Sequence, residues 1–187
     1  LVMSATLDGA RVGRLLAQAP VIESDGRAFP VETRHRPRDA RAPVEDEVTR
    51  VIMEALRAET GSMLVFLPGQ REIQRTAERL KEKVSANDIV IAPLFGAMDR
   101  SAQDLAISPA RSGTRKIVLA TSIAETSLTI EGVRVVIDCG LARVPRFEPD
   151  LGLTRLVTER VSRAAADQRR GRAGRTEPGV CYRLWEE

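Results

Sequence analysis

Aromatic residues and cysteines are scarce in this sequence of 187 residues. Aromatic side chains make up 3% of it, which disfavours a binding surface built from stacked rings. Cys139 and Cys181 lie in separate apolar stretches without a second Cys or His beside them, so neither a disulfide framework nor a metal site is expected. No apolar run approaches the roughly 18 residues of a membrane helix, and no signal-peptide pattern opens the chain. We therefore expect a soluble, cytoplasmic protein that holds no metal itself.

Lysine is also rare, and arginine carries the positive charge. Lys81, Lys83 and Lys116 are the only lysines among 29 basic residues, and the formal net charge is +3. Arginine is suited to bidentate recognition of phosphate, although the codon bias of a GC-rich genome produces the same composition. The clustering of arginines is therefore a better guide to function than their number.

The densest cluster is the eight-residue segment 168–175, QRRGRAGR. Arg172 and Arg175 are three residues apart, so both guanidiniums can leave one side of a helical turn and fork onto phosphate oxygens. Gly171 and Gly174 would let the backbone approach a ligand closely. Taken alone, such a charge run is also typical of a solvated helix end.

Apolar strands alternate with amphipathic helices through most of the chain. Strand-like runs occur at 63–67, 88–94, 116–120, 133–138 and 180–185, and helical spacing of apolar residues occurs at 43–56 and 70–84. Asp99 and Ser162 stand where they can cap helices. This order predicts an α/β fold with a mostly parallel sheet, helices on both faces, and functional residues at the carboxyl ends of the strands.

Residues 143–159 depart from this alternation. Two alternating runs flank the turn-rich segment 148–152, and this pattern predicts a β-hairpin that projects from the sheet. Four arginines of this segment are expected to hold phosphates: Arg143, Arg146, Arg155 and Arg160. Phe147 and Leu153 are expected either to anchor the base of the hairpin or to wedge against a terminal base pair. An edge meander packed on the domain is the alternative.

Four blocks of sequence together resemble the DEAH-box branch of the superfamily 2 helicases. They are the arginine segment 168–175, the short Ser-Ala-Thr at 4–6, the strand and turn at 64–69, and the hydroxyl-rich segment 120–130. Their order and spacing match that family over nearly the whole chain. The phrases at 22–31 and 34–37 look most like the bacterial HrpB-type helicases. The resemblance implies a three-layer RecA-like domain, the second of two such motor domains.

The resemblance also implies roles for residues near a nucleotide. Arg172 and Arg175 match the family's arginine fingers, and Gln168 matches the residue that positions the γ-phosphate or the attacking water. Gly171, Glu131 and Ile107 fall at other positions expected to line the nucleotide site. Glu131 stands where Asp is frequent near the ribose, and Ile107 stands where related helicases carry an aromatic that stacks on the base. Isoleucine offers contact without π-stacking, which weakens base selectivity.

Hydroxyl side chains follow the strand at 116–120. Burying several hydroxyl groups is costly unless each forms a hydrogen bond. Hydroxyls that contact a nucleic-acid backbone read no bases, which suits a motor that accepts any nucleotide sequence. By resemblance, Thr121, Ser122 and Thr126 are expected to contact RNA, while Ser4 and Thr6 belong to the motif that couples the two motor domains. Capping of the following turn is the alternative role for each hydroxyl.

The sequence lacks a phosphate cradle. It contains no G-x-x-x-x-G-K-[ST] and no acidic tetrad of the DEAH type, and Asp46 and Glu47 are explained by the start of a helix. ATP and Mg²⁺ are therefore expected on a preceding RecA-like domain. We expect residues 1–20 to be the end of that domain, 21–42 a crossing strand and linker, and 43–187 the second domain, which continues into accessory domains.

Two other functions stay open on the residues alone. A passive nucleic-acid-binding domain would use the arginines without meeting a nucleotide. A related DNA translocase would use the same hydroxyl and phosphate contacts. The three-residue register of Arg172 and Arg175, together with Gln168, favours a motor over a passive binder, because salt-dependent backbone binding needs no such register. Hydroxyl and phosphate contacts alone do not exclude DNA.

Overall fold

The computed structural model describes residues 9–17, 19–21, 29–84, 88–125, 130–150 and 152–187. Its α-helices are α1 (Gly9–Leu15), α2 (Val44–Ala58), α3 (Gln70–Lys83), α4 (Arg100–Ile107) and α5 (Arg163–Arg170), and a short 3₁₀ helix spans Ser122–Ala124. Its strands are β1 (Val31–His35), β2 (Ser62–Phe66), β3 (Ile89–Leu94), β4 (Arg115–Ala120), β5 (Val133–Asp138), β6 (Leu141–Glu148), β7 (Leu153–Arg160) and β8 (Gly179–Arg183).

Six strands form one parallel sheet in the order β1-β8-β5-β2-β4-β3. β2 lies at the centre, paired with β4 on one side and β5 on the other, and all five of its residues are buried. A strand enclosed on both faces reads as a continuous apolar run, as β2 does. The predicted α/β class with a mostly parallel sheet is confirmed.

Two apolar clusters cover the two faces of the sheet. On one face, α2 and α3 pack Val48, Ile52, Ile73 and Leu80 against Met63, Val65 and their neighbours from β4, β5 and β8. On the other face, Leu64 and Phe66 meet residues from α4, from the segment between β4 and β5, and from the segment after α5. The second face therefore carries the segments that the sequence marked as functional.

Local signals set several helix boundaries. The side chain of Asp99 accepts a hydrogen bond from the Ala102 amide at the start of α4, and Ser162 does the same for Ala165 at the start of α5. Glu45, Asp46 and Glu47 occupy the first turn of α2, where negative charge complements the helix dipole. Both predicted caps are confirmed.

The strands β6 and β7 form a separate antiparallel pair, registered from Leu141 opposite Arg160 to Glu148 opposite Leu153. Gly140 joins this hairpin to β5 with a φ of 75°, and a Cβ there would lie 2.8 Å from the Trp185 ring. Only glycine suits that backbone conformation and that contact. The predicted projecting hairpin is confirmed, since β6 and β7 form no part of the six-stranded sheet.

β1 is an edge strand of the main sheet and pairs in parallel with β8 from Val31–Gly179 to His35–Arg183. The range 21–42, which we expected to form a crossing strand and linker, thus contains one strand of this sheet. On α1, Leu15 is 79% exposed, while Ser4 and Thr6 lie outside the described residues. None of the helices in the described ranges is long and apolar enough to span a bilayer.

Candidate functional site

The arginine segment lies at the end of α5, on the second face of the sheet. The chain leaves the helix through two tight turns, in which the amides of Arg172 and Ala173 donate to carbonyls three residues earlier. Ala173 is fully buried in the second apolar cluster. Arg172 and Arg175 then line one surface depression together with Leu64, Ile130 and Val133. The structure therefore brings the two predicted finger residues to the same place.

This position differs from the expected one. We predicted functional residues at the carboxyl ends of the strands, and Thr121 does follow the end of β4 directly. Arg172 and Arg175 instead lie beside the middle of β2 and the amino end of β5, because the segment after α5 folds back over the sheet face. The prediction about strand ends is wrong for this pair.

The surroundings of Arg172 suit an anionic ligand. Arg172 is 6% exposed, and its Nη2 donates to the main-chain carbonyl of Glu125. Burial, and then the neighbouring charge of Arg175, lower the pKa of Arg172 to about 10, opposed by Glu125. The side chain is still charged near neutral pH. Two guanidiniums held together at a partly desolvated surface favour binding of a phosphate.

Arg169 is a residue of this site that the sequence reasoning missed. Its side chain is fully buried, and it pairs with Glu125 at 2.6 Å and with Asp138 at 2.8 Å. Its guanidinium also lies 4.8 Å from the centre of the Phe66 ring. Burial lowers the pKa of Arg169, but the charge of Asp138 and the hydrogen bonds with both carboxylates outweigh burial and leave that pKa raised. The sequence offered one signal for this ion pair, namely Asp138, a lone carboxylate at the end of a buried strand.

Two other residues of the arginine segment, Arg170 and Gly174, serve the fold. Arg170 donates from Nε to the Thr33 hydroxyl at 2.8 Å and from Nη2 to the Val31 carbonyl at 2.6 Å, and so ties α5 to β1. A Cβ at Gly174 would lie 2.5 Å from the Phe29 carbonyl oxygen. The close approach expected at Gly174 is thus to the chain's own backbone. Gly171 has a helical conformation with room for a Cβ, and Gln168 is half-buried on α5.

The hydroxyl-rich segment begins directly after β4. The Thr121 amide donates to the Leu94 carbonyl at 3.2 Å, and residues 122–124 form the 3₁₀ helix. Within this described stretch the Thr121 side chain makes no capping hydrogen bond to that helix, and Ser122 is exposed. Capping is therefore not the role of the Thr121 hydroxyl. Thr126 lies outside the described residues.

Two further predicted residues flank this face. Glu131 is exposed in the turn before β5, next to Ile130, which shares the depression with Arg172 and Arg175. Ile107 ends α4 and packs against the second apolar cluster, the cluster that also contains Ile130 and Ala173. The structure thus places Glu131 next in sequence to a residue that lines the depression, and Ile107 against the second apolar cluster.

Three of the four hairpin arginines are paired with carboxylates. Arg143 binds Glu72 on α3 at 2.9 Å, Arg146 binds Glu159 at 2.7 Å, and Arg155 binds Glu148 at 3.4 Å. The Arg143 pair fastens the base of the hairpin to the domain, so Phe147 and Leu153, near the tip, do not anchor the base. Strand alternation puts Pro145, Phe147 and Leu156 on one face, where Phe147 is 64% and Leu156 is 69% exposed.

A separate open groove of about 890 Å³ lies at the carboxyl ends of β1, β5 and β8. His35, Cys139 and Leu184 line one side of it, and Arg160 at the end of β7 lines it together with Arg163 and Arg170 of α5. Arg172 and Arg175 do not line it. In the described part of the chain, no group of three or more His, Cys, Asp and Glu side chains is placed to hold a metal ion.

Comparison with known families and proteins identifies the fold and its relatives. The model of the helicase conserved C-terminal domain matches residues 46–177. The ATP-dependent RNA helicase HrpB of Escherichia coli (strain K12) is 53% identical over 184 residues, which cover 98% of this chain and 23% of that protein. The pre-mRNA-splicing factor ATP-dependent RNA helicase prp22 of Schizosaccharomyces pombe is 40% identical over 192 residues, which are 16% of its length.

Solved structures agree with these matches. The crystal structure of the Escherichia coli DEAH/RHA helicase HrpB superposes with a TM-score of 0.91 at 52% identity, covering 99% of this chain and 24% of that one. The chain therefore spans about a quarter or less of the length of these relatives. The predicted RecA-like architecture is confirmed by this superposition.

Proposed function

This chain belongs to the family of the helicase conserved C-terminal domain, as the C-terminal RecA-like domain of the DEAH/RHA type, and from that premise we propose that it is the second motor domain of an ATP-dependent RNA helicase. It would act within a longer protein, beside a first RecA-like domain and C-terminal accessory domains. The observation that carries the proposal is the joint placement of Arg172 and Arg175 with Leu64, Ile130 and Val133 around one depression.

In this proposal Arg172 and Arg175 act as arginine fingers. Phosphoryl transfer to water needs positive charge on the γ-phosphate as its transition state develops. Arg172 is buried and fixed by the Glu125 carbonyl, whereas Arg175 is exposed and can reach across a cleft. Gln168 would position the γ-phosphate or the attacking water, and Glu131 would face the ribose. Gly171 and Ile107 would complete this chain's side of the nucleotide site.

The ATP itself and its Mg²⁺ would be held mainly by the first RecA-like domain. The sequence of this chain lacks a phosphate-binding loop, and its described residues offer no cluster of metal ligands. Mg²⁺ bound there would supply positive charge that offsets the charge of the phosphates. Ser4 and Thr6 would couple the two domains through the Ser-Ala-Thr motif.

The nucleic-acid side of the domain would be formed by the hydroxyl-rich segment. Thr121 and Ser122 present hydroxyls at the end of β4, and Thr126 follows in the same segment. Hydroxyls bind phosphate and sugar oxygens without reading bases, as a motor that moves along any sequence requires. RNA is the substrate proposed because the relatives are RNA helicases by name.

ATP hydrolysis distinguishes a motor domain from a passive nucleic-acid-binding domain. The isolated 187-residue chain is expected to hydrolyse no ATP above the buffer rate, because it lacks the phosphate cradle. The full-length protein is expected to hydrolyse ATP faster when single-stranded RNA is added. Phosphate release measured for both proteins checks this expectation. Arg172-dependent turnover by the isolated chain would contradict it, and an inactive full-length protein that still binds RNA would support passive binding.

The hairpin would separate strands at the duplex junction. Its apolar face presents Pro145, Phe147 and Leu156 to solvent, while the opposite face carries the Arg146–Glu159 and Arg155–Glu148 pairs. An isolated two-stranded hairpin is marginally stable, and the contact of Arg143 with Glu72 holds this one in place. Arg143 and Arg146 would reach phosphate only by exchanging a carboxylate for it.

Shortening the hairpin tip tests this role. Replacement of residues 149–152 by a two-residue Asn-Gly turn is expected to preserve folding and ATP hydrolysis in the full-length protein, because that turn suits a two-stranded hairpin. Unwinding is expected to fall sharply, measured as duplex separated per ATP consumed. A four-residue Gly-Ser-Gly-Ser tip, which keeps the length, is the matched control. Unwinding at the wild-type rate by the shortened protein would exclude the hairpin as the separating element.

A further inference from the structure

Arg169 connects three separate parts of the chain. Its Nε donates to the Glu125 carboxylate at 2.7 Å, its Nη1 donates to Asp138 at 2.8 Å and to the Leu141 carbonyl at 3.2 Å. These partners lie after β4, at the end of β5 and at the start of the hairpin. A single buried guanidinium therefore holds the arginine segment, the hydroxyl-rich segment and the hairpin base in one arrangement.

Glu125 is the point where two arginines of the segment meet. Arg169 binds its side chain, and Arg172 donates to its main-chain carbonyl. Glu125 follows the 3₁₀ helix directly, and its own amide donates to the Ser122 carbonyl at 2.9 Å. The segment 121–125 is therefore connected through Glu125 to both arginines.

Stability alone is a weak reason for such an arrangement. Apolar residues of similar volume are often as stable as a buried ion pair, because two charges must be taken out of water. A hydrogen-bonded guanidinium–carboxylate pair, in contrast, tolerates few geometries, since its hydrogen bonds weaken steeply with distance and angle. An ion pair that links two segments therefore restricts them to a small set of joint positions.

We propose that the Arg169–Glu125 ion pair is the positioning link through which nucleic acid bound at Thr121 and Ser122 sets the positions of Arg172 and Arg175. Arg169 and Glu125 touch neither ligand in this scheme, and both act through their neighbours. The proposal rests on the motor function proposed above. It assigns the pair to the coupling between nucleic-acid binding and ATP hydrolysis.

Glu125→Leu in the full-length protein tests the link. Leucine removes the acceptor for Arg169 while leaving the Asp138 pair and the Glu125 main-chain carbonyl in place. The measured quantities are ATP turnover with and without single-stranded poly(U) RNA, and the Kd for that RNA. The ratio of the turnover rates with and without RNA is expected to fall from its wild-type value to near one, while RNA still binds.

Two further variants separate positioning from general loosening. Glu125→Gln keeps an oxygen acceptor for the Arg169 Nε and is expected to retain much of the stimulation. Arg170→Met removes equally short hydrogen bonds from the same helix, those to Thr33 and Val31, and is expected to keep the wild-type ratio. Full stimulation in Glu125→Leu, or an equal loss in Arg170→Met, would overturn the proposal.

The same measurements distinguish failure of the coupling link from failure of the motor function. If the wild-type full-length protein shows Arg175-dependent, RNA-stimulated hydrolysis and Glu125→Leu keeps the same stimulation, only the coupling link fails. If the wild-type protein shows no hydrolysis with or without RNA, the motor function fails, and the link fails with it.

Discussion

Arg175→Ala in the full-length protein is expected to lower the kcat for ATP hydrolysis by roughly 10²-fold or more, because arginine fingers contribute about 10³ to 10⁵ in rate where measured. Arg175 is exposed beside the buried Arg172, at the depression that both line. Its contact with the γ-phosphate would form when the cleft closes, so it stabilises the transition state more than the bound nucleotide. The affinity for ATP is therefore expected to change little.

Steady-state turnover and equilibrium binding of a fluorescent ATP analogue check this prediction together. Arg71→Ala is the matched control, because Arg71 is an exposed arginine on α3, which packs on the opposite face of the sheet. The control is expected to leave both quantities unchanged. A loss of nucleotide affinity with an unchanged kcat would instead identify Arg175 as a clamp on the ground-state phosphate.

The second large effect is on folding. Arg169→Met is expected to lower the free energy of unfolding of this chain by roughly 3–5 kcal/mol, the usual cost of removing one partner from a buried ion pair. Asp138 is fully buried, and Arg169 is the cation that faces it at 2.8 Å. Without the guanidinium, the carboxylates of Asp138 and Glu125 lose the charge that compensates their burial. Urea unfolding followed by the fluorescence of Trp185, the single tryptophan, measures the change.

A surface pair provides the comparison for this prediction. Arg36→Met removes the 2.8 Å pair with Glu54, in which both side chains are about one-third exposed, and a loss of at most about 1 kcal/mol is expected. Adding Asp138→Asn to Arg169→Met is expected to recover part of the lost stability, because it removes the stranded charge. Equal losses of stability in Arg36→Met and Arg169→Met would show that the buried ion pair contributes no more to stability than the surface pair.

Local patterns in the sequence predicted the elements of this fold well. Apolar runs marked β2 to β5, helical spacing marked α2 and α3, and single side chains capped α4 and α5. Each of these signals acts within a few residues, so it can be read before any tertiary contact is known. The motif blocks identified the family for the same reason, since their residues are contiguous.

The site was predicted only in part. Arg172 and Arg175 were found from their spacing, and the structure places them together. Their position over the face of β2, rather than at a strand end, depends on how the segment after α5 folds back, and no local pattern encodes that path. The hairpin arginines were expected to be available to phosphate, yet Arg143 and Arg146 have carboxylate partners across the fold or across the hairpin.

By itself, the sequence determined the class of fold, the order of its elements and the identity of the arginine segment, because local periodicity and contiguous motifs carry that information. Tertiary structure alone decided that Arg169 is buried against two carboxylates. Arg169 lies 44 residues from Glu125 and 31 from Asp138 along the chain. The three meet because α5 packs against β5, while β4 and β5 flank β2 and end at the same edge of the parallel sheet. A charge with distant partners has no local signature, so its role emerges only when the sheet is assembled.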